Sequence, residues 1–110
     1  MRIAPLGQGI YYVATGLWPV VHLKSFEAVT GKKRDGWLVQ TVGGLIAAVG
    51  GALLVGSVEN KSKAVRMLGI TSAAVLAASD IYFVAKGRIP RIYLADAVAE
   101  GAVIAAWTLW

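Results

Sequence analysis

Three carboxylates of this 110-residue chain stand in stretches that are otherwise apolar: Asp80, Asp96 and Glu100. Asp80 lies six residues before Lys86, and Asp96 lies five residues after Arg91. Two antiparallel helices joined there would hold the two acids at similar depth. Glu100 follows Asp96 by four residues, so it sits one helical turn deeper on the same face. At a rise of about 1.5 Å per residue it lies ~10 Å in from the loop. No lysine or arginine stands within a turn of it in the sequence. An acid in that setting suits a proton carrier, a general acid or base, or a cation site. For Asp80 and Asp96 a plainer role is at hand, pairing with Lys86, Arg88 or Arg91 near the helix ends.

His22 closes the first apolar stretch and Gln40 opens the second. Both fall at the same end as the acids. Gln8, Tyr11, Thr15, Trp18 and His22 recur at intervals of three or four, which makes a polar-aromatic stripe on one helix face. Trp18, Tyr82 and Tyr93 would offer aromatic faces to a cation. The candidate ligand site is therefore Trp18, His22, Gln40, Asp80, Tyr82, Tyr93, Asp96 and Glu100, as one polar pocket in one half of the protein. The opposite half holds little beyond Gln8, Thr71, Ser72 and Thr108.

Other chemistries lack their residues. The chain has no cysteine, so it forms no disulfide, thiolate metal site or cysteine nucleophile. A single histidine argues against bis-histidine haem. His22 with the three carboxylates is the one set an oxygen-preferring divalent ion would find, but a helix-end histidine is more often a headgroup contact. No metal and no cofactor is expected. The glycine doublets occupy helix centres rather than a phosphate loop after a strand, and no nucleophile-elbow serine is present. Catalytic residues carry no motif.

The elements that must position these residues are plain. Apolar residues make up 57% of the chain and charged ones 15%, with a mean hydropathy of +0.65. That excludes a disordered tail, a coiled coil and an ordinary water-soluble domain of this size. Four apolar stretches, about residues 3–23, 37–58, 64–85 and 92–110, are separated by short charged links. Each is long enough to cross a hydrocarbon core of ~30 Å as a helix. Backbone groups in lipid must be satisfied within the segment, and the glycine-rich second stretch lacks the alternation of a barrel strand. The expected fold is all-α, a single integral membrane domain built as an antiparallel four-helix bundle. The first stretch runs on to Leu23 with no small-x-small site after it, so it reads as a retained helix rather than a signal peptide. Residues 26–29, before Thr30-Gly31, read as one helical turn at the membrane interface with Gly31 as its stop.

Net charge is +5. The bases sit between apolar stretches, as membrane flanks do beside anionic headgroups, so the partners expected are membrane lipids and not nucleic acid. Loops one and three hold seven bases: Lys24, Lys32, Lys33, Arg34, Lys86, Arg88 and Arg91. The N-terminus and second loop hold four: Arg2, Lys61, Lys63 and Arg66. The positive-inside rule then places loops one and three in the cytoplasm, for a multi-pass protein of the inner membrane. Trp37, Tyr93, Trp107 and Trp110 would form an aromatic belt.

Small residues recur at spacing four: Gly43-Ala47-Gly51, Gly44-Ala48-Ala52-Gly56, Gly69-Ala73-Ala77 and Ala97-Gly101-Ala105. They favour close helix packing within the chain, and a homodimer face is the sharper alternative. Pro19 should bend the first helix near Thr15-Gly16, with the Thr15 hydroxyl serving the freed backbone.

The runs Gly16-Leu17-Trp18-Pro19, Phe26-Glu27-Ala28-Val29-Thr30-Gly31, Trp37-Leu38-Val39-Gln40-Thr41-Val42-Gly43, Asp80-Ile81-Tyr82 and Tyr93-Leu94-x-Asp96-Ala97-x-x-Glu100 together resemble a family of small uncharacterised bacterial four-helix integral membrane proteins. The resemblance covers most of the chain. It implies the four-helix fold and adds no activity.

The leading functional expectation is a carboxylate-lined pocket inside the membrane that binds a small cationic or amphipathic ligand, with proton-coupled transport as its extension. A membrane enzyme doing acid/base chemistry on a lipid-like substrate is the alternative. A structural small membrane subunit is the third reading.

Overall fold

Five helices account for most of the described residues in a computed structural model, which describes residues 3–31, 35–59 and 62–109. They are α1 (Ile3–Val21), α2 (Leu23–Thr30), α3 (Gly36–Ser57), α4 (Lys63–Ala85) and α5 (Tyr93–Trp107). No strand occurs among the described residues. Arg2, Lys32, Lys33, Arg34, Lys61 and Trp110, which entered the charge count and the aromatic belt, lie outside them.

The described residues are all-α as expected, in five helices instead of four. The turn expected in the first loop is an eight-residue helix, α2. His22 breaks the continuity between α1 and α2 with an extended backbone (φ −145°, ψ 82°), and its Nδ1 accepts from the Ser25 amide at 3.2 Å. Gly31 stops α2 at φ 94°, its amide donating to the Glu27 carbonyl at 2.8 Å. Only glycine meets that positive φ without a Cβ penalty.

The other ends follow equally local rules. Pro5 lies in the first turn of α1, where an amide would be unpaired anyway. Ser62 caps α4 by accepting from the Val65 amide at 3.4 Å. Past α4, the Gly87 amide donates to the Val84 carbonyl at 3.0 Å and the Arg88 amide to the Phe83 carbonyl at 2.9 Å. That paired closure, with Gly87 at φ 72°, is a Schellman motif, and Pro90 follows it to prevent resumption. α5 has 15 residues, shorter than the stretch assigned to it. Tight turns that donate from Tyr93 to Pro90, from Thr108 to Ala105 and from Leu109 to Ala106 extend it at both ends.

The helices form two closely packed antiparallel pairs. α1 lies on α3 through two glycine crossings. A Cβ at Gly16 would come 2.5 Å from the Gly43 carbonyl, and one at Gly50 would come 2.8 Å from the Gly9 carbonyl. Gly9/Gly16 and Gly43/Gly50 are spaced by seven, so the working contact is a heptad seam rather than a spacing-four ridge. Gly44, Gly51 and Gly101 meet no side chain or neighbouring backbone, which leaves parts of the expected ridges outside the fold. α4 lies on α5, where the Trp107 indole covers Gly69 so closely that a Cβ there would overlap it. Trp107 is therefore a core residue, 1% exposed, and not part of an interfacial belt. Trp37, at 70% exposure, does stand outside.

Polar side chains hold the two pairs together. Gln8 of α1 donates from Nε2 to the Gly69 carbonyl of α4 at 2.9 Å and accepts from Trp107 Nε1 of α5 at 2.8 Å. Between α3 and α4 there is little contact beyond their connecting turn, where Val65 packs on Gly56. The polarity pattern is inverted. Gln8, Ser57, Asp80 and Glu100 are buried, while Ile3, Leu45, Met67, Val75, Val98 and Leu109 face outward. α3 and α4 are each long and apolar enough to cross a membrane.

Candidate functional site

A cavity of about 890 Å3 lies toward the end of the molecule where α2 and the α4–α5 turn lie. α1 and α3 wall one side, and α4 and α5 the other. Most of the wall is apolar, from Val42 and Ile46 of α3, Leu76 of α4 and Phe26 of α2. Its polar part is a carboxyl–tyrosine cluster. Helix period brings it together: Asp96 and Glu100 lie one turn apart on α5, and Asp80 faces them from α4.

The two tyrosines come from adjacent positions of α1. The Tyr11 hydroxyl donates to Asp96 Oδ1 at 2.5 Å. The Tyr12 hydroxyl donates to Glu100 Oε1 at 2.6 Å. The three acids lie close enough together to interact electrostatically. No lysine, arginine or histidine pairs with these acids among the described residues. The expected ion pairs with Lys86, Arg88 and Arg91 are not made.

Glu100 is 1% exposed and Asp80 7%. Asp80 Oδ2 is buried without a hydrogen-bond partner. An unpartnered buried acceptor costs about 1–3 kcal/mol, which marks this oxygen as the unsatisfied point of the site.

Of the eight residues expected to form the pocket, Trp18, Asp80, Tyr93, Asp96 and Glu100 line this cavity. The other three do not. His22 is exposed because α1 ends at Val21 and the imidazole caps α2. That also removes the histidine from any shared ligand set with the carboxylates. Gln40 donates from Nε2 to the Pro19 carbonyl at 3.1 Å, taking up an acceptor at the end of α1. Tyr82 is 56% exposed and stands outside, edge-on to Phe83 with the Lys86 ammonium 5.6 Å from its ring centre. Two residues separate it from Asp80, about 200° around a helix. The Thr15 hydroxyl donates to the Tyr11 carbonyl at 2.7 Å, one turn back, and lies in the cavity wall.

Tyr12 is the site residue that the stripe at intervals of three and four passes over. α1 serves two partners: Tyr11 points to Asp96, and Tyr12, about 100° around the helix, points to Glu100. α2 closes on the cavity at that end, with Phe26, Val29 and Thr30 in its wall. The Trp18 indole donates to Ser25 Oγ at 2.8 Å and meets the Phe26 ring edge-on at 5.3 Å. Pro90 of the α4–α5 turn packs beside Gly31.

No known protein family, curated protein or solved structure matches the chain.

Proposed function

We propose that this chain is an integral membrane protein whose carboxyl–tyrosine pocket binds a small cationic or amphipathic ligand and hands protons to or from it. In this reading α1, α3, α4 and α5 cross the inner membrane, with the α1–α3 and α4–α5 connections on the cytoplasmic side. The inverted polarity of the fold supports it: bulky apolar side chains face out and polar ones face in. So does a long dimension of 41 Å, which exceeds a hydrocarbon core of ~30 Å. The chain then belongs with the small bacterial four-helix membrane proteins its motifs resemble. A second copy would pack on the small-residue faces left open at Gly44, Gly51 and Gly101.

One observation carries the ligand reading. Three buried or half-buried acids meet at the end of an apolar cavity, with no base paired to them among the described residues and one oxygen unpartnered. Purification from the membrane, followed by mass spectrometry of bound small molecules, tests it. A cationic or amphipathic species should accompany the parent and be lost from Asp80→Asn. Recovery of the same species in the same amount from both would overturn the reading.

A second reading is favoured by the short Tyr11–Asp96 and Tyr12–Glu100 bonds. Each sets a hydroxyl donor on a carboxyl at the cavity wall, an arrangement able to move a proton on a lipid-like substrate. Conversion of a co-purified lipid by the parent but not by Tyr12→Phe would support it.

A further inference from the structure

His22 stands where two helices meet end to end. It follows Val21, the last residue of α1, and precedes Leu23, the first residue of α2. The carbonyl end of α1 carries a partial negative charge, and the amide end of α2 a partial positive one. The imidazole serves the second: its Nδ1 accepts from the Ser25 amide at 3.2 Å. Only an unprotonated ring nitrogen accepts, so this cap belongs to the neutral side chain. An imidazolium has two donors and no acceptor. Its favoured neighbour is the other helix end, the carbonyls of the last turn of α1. His22 is exposed, so protons reach it from solvent, and histidine is the side chain type that changes charge between about pH 5 and 8.

Ser25 links this cap to the main cavity. Its hydroxyl donates to the His22 carbonyl at 3.0 Å and accepts from the Trp18 indole at 2.8 Å. The next residue, Phe26, meets the Trp18 ring edge-on. Phe26, Val29 and Thr30 all stand in the cavity wall. Otherwise α2 is lightly held. It packs on α1, and none of α3, α4 and α5 packs on it to a comparable extent. Its far end turns at Gly31, φ 94°, beside Pro90 of the α4–α5 turn. A helix of eight residues does not persist in water without outside support, so its cap and its few contacts decide whether it stays formed.

We propose that α2 is a pH-released cover of the main cavity, with His22 as its latch. With His22 neutral the cap is made, and Phe26, Val29 and Thr30 close on the cavity. With His22 protonated the Ser25 amide loses its acceptor, and a positive charge stands at the positive end of the α2 dipole. α2 then frays from its first turn, the tie from Trp18 to Ser25 is released, and the wall on that side opens. The inference concerns access to the cavity and holds whatever the cavity binds. Few charged groups lie on the elements around His22. The last turn of α1 has none. α2 carries Lys24 and Glu27. α3 begins where Leu23 lies against Gly36, with Asp35 just before it. The α4–α5 turn meets α2 at the opposite end, through Pro90 and Gly31.

The test uses the full chain in lipid nanodiscs, spin-labelled through Ala28→Cys on α2 and Val98→Cys on α5. Both positions are exposed, and the chain has no cysteine of its own. Double electron–electron resonance should give one narrow distance at pH 8 and a second, displaced population at pH 5. Hydrogen exchange of the α2 amides, corrected for the intrinsic effect of pH, should rise by about fivefold or more between those two conditions, the size of a lost N-cap, while α3 and α4 hold their protection. His22→Asn caps without titrating, leaves Lys24, Glu27 and Asp35 in place, and should keep the closed distance at pH 5. His22→Lys carries a fixed positive charge and no acceptor, and should show the displaced population already at pH 8. A parent with the same α2 distance and exchange at both pH values would overturn the proposal. A His22→Asn variant that opens at pH 5 like the parent would also overturn it, because another group would then be the trigger. A His22→Lys variant that stays closed at pH 8 would show that the cap is not the latch. The comparison of the parent at the two pH values decides the matter even where a variant fails to fold.

Discussion

The Tyr12 hydroxyl donates to Glu100 Oε1 at 2.6 Å, joining the first and last helices across 88 residues of sequence. Both side chains are 1% exposed. The bond gives the deepest acid of the cluster its neutral donor, and it closes the inner wall of the cavity. With Tyr11–Asp96 it fixes the register of α1 against α5, so the site and the fold share the same contacts.

Removing that donor should be costly in proportion to what it leaves behind. Tyr12→Phe keeps the ring and deprives a buried carboxyl of its partner, an expected loss of about 1–3 kcal/mol. In a Glu100→Leu background the same change should cost much less, because no buried acceptor is stranded. Denaturation of the two singles and the double in matched detergent checks this. Equal costs in both backgrounds would mean that the bond does not stabilise the fold.

The glycine seam makes a contrast within one helix. Gly16→Ala and Gly43→Ala each push a methyl into a backbone carbonyl 2.5 Å away, and neither backbone can yield without separating α1 from α3. Each should destabilise by roughly 1–3 kcal/mol, as overpacking does. Gly44→Ala and Gly51→Ala meet nothing within 4 Å and should leave the monomer's melting temperature unchanged or raise it through helix propensity. A loss of self-association by Gly44→Ala, with melting unchanged, would locate a copy-to-copy contact on that face.

Asp80, Asp96 and Glu100 were legible as one cluster because helix period and a short loop fix relative depth without knowledge of packing. Tyr82 was open to correction from sequence alone, since two residues from Asp80 is the far side of a helix. His22 was not. Its place depended on α1 ending at Val21 instead of running through to Leu23, and a helix end can move by a residue or two. Trp107 resembled a belt residue because it lies near a chain end. Its burial depends on the slot at Gly69, thirty-eight residues away, which no local pattern announces. The heptad seam was hidden for a similar reason: α3 carries so many small residues that several ridges compete.

At the opposite end from the cavity, Gln8→Leu should be among the more damaging single changes. It strands the Trp107 indole N–H in the core and removes the bond from Gln8 to Gly69, with an expected cost of about 1–3 kcal/mol. Gln8→Glu retains an acceptor for the indole and should recover part of that loss when its carboxyl is protonated. Melting of both variants in mildly acidic and mildly alkaline buffer checks it. A Gln8→Leu variant as stable as the parent would show that the two helix pairs are held without this node.

The membrane topology is decided by helices α1 and α5, because among the described residues only α3 and α4 are long and apolar enough to cross by themselves. The chain has no cysteine, so single cysteines can be introduced without background. If all four long helices cross, cysteines at Ile3, Glu59 and Leu109 label from one side of the membrane, and those at Asp35 and Arg88 from the other. If only α3 and α4 cross, Ile3 labels with Asp35 and Leu109 with Arg88, while Glu59 alone labels from the opposite side. The four-crossing reading requires each of those two pairs to split. α5 is the more exacting case: its 15 residues span only about 22 Å as a regular helix, and the tight turns at its two ends must supply the remaining length. Same-side labelling of Arg88 and Leu109 would place α5 within one leaflet. Glu100 would then sit near a headgroup layer rather than deep in the hydrocarbon, and the case for an intramembrane carboxyl site would fall with it.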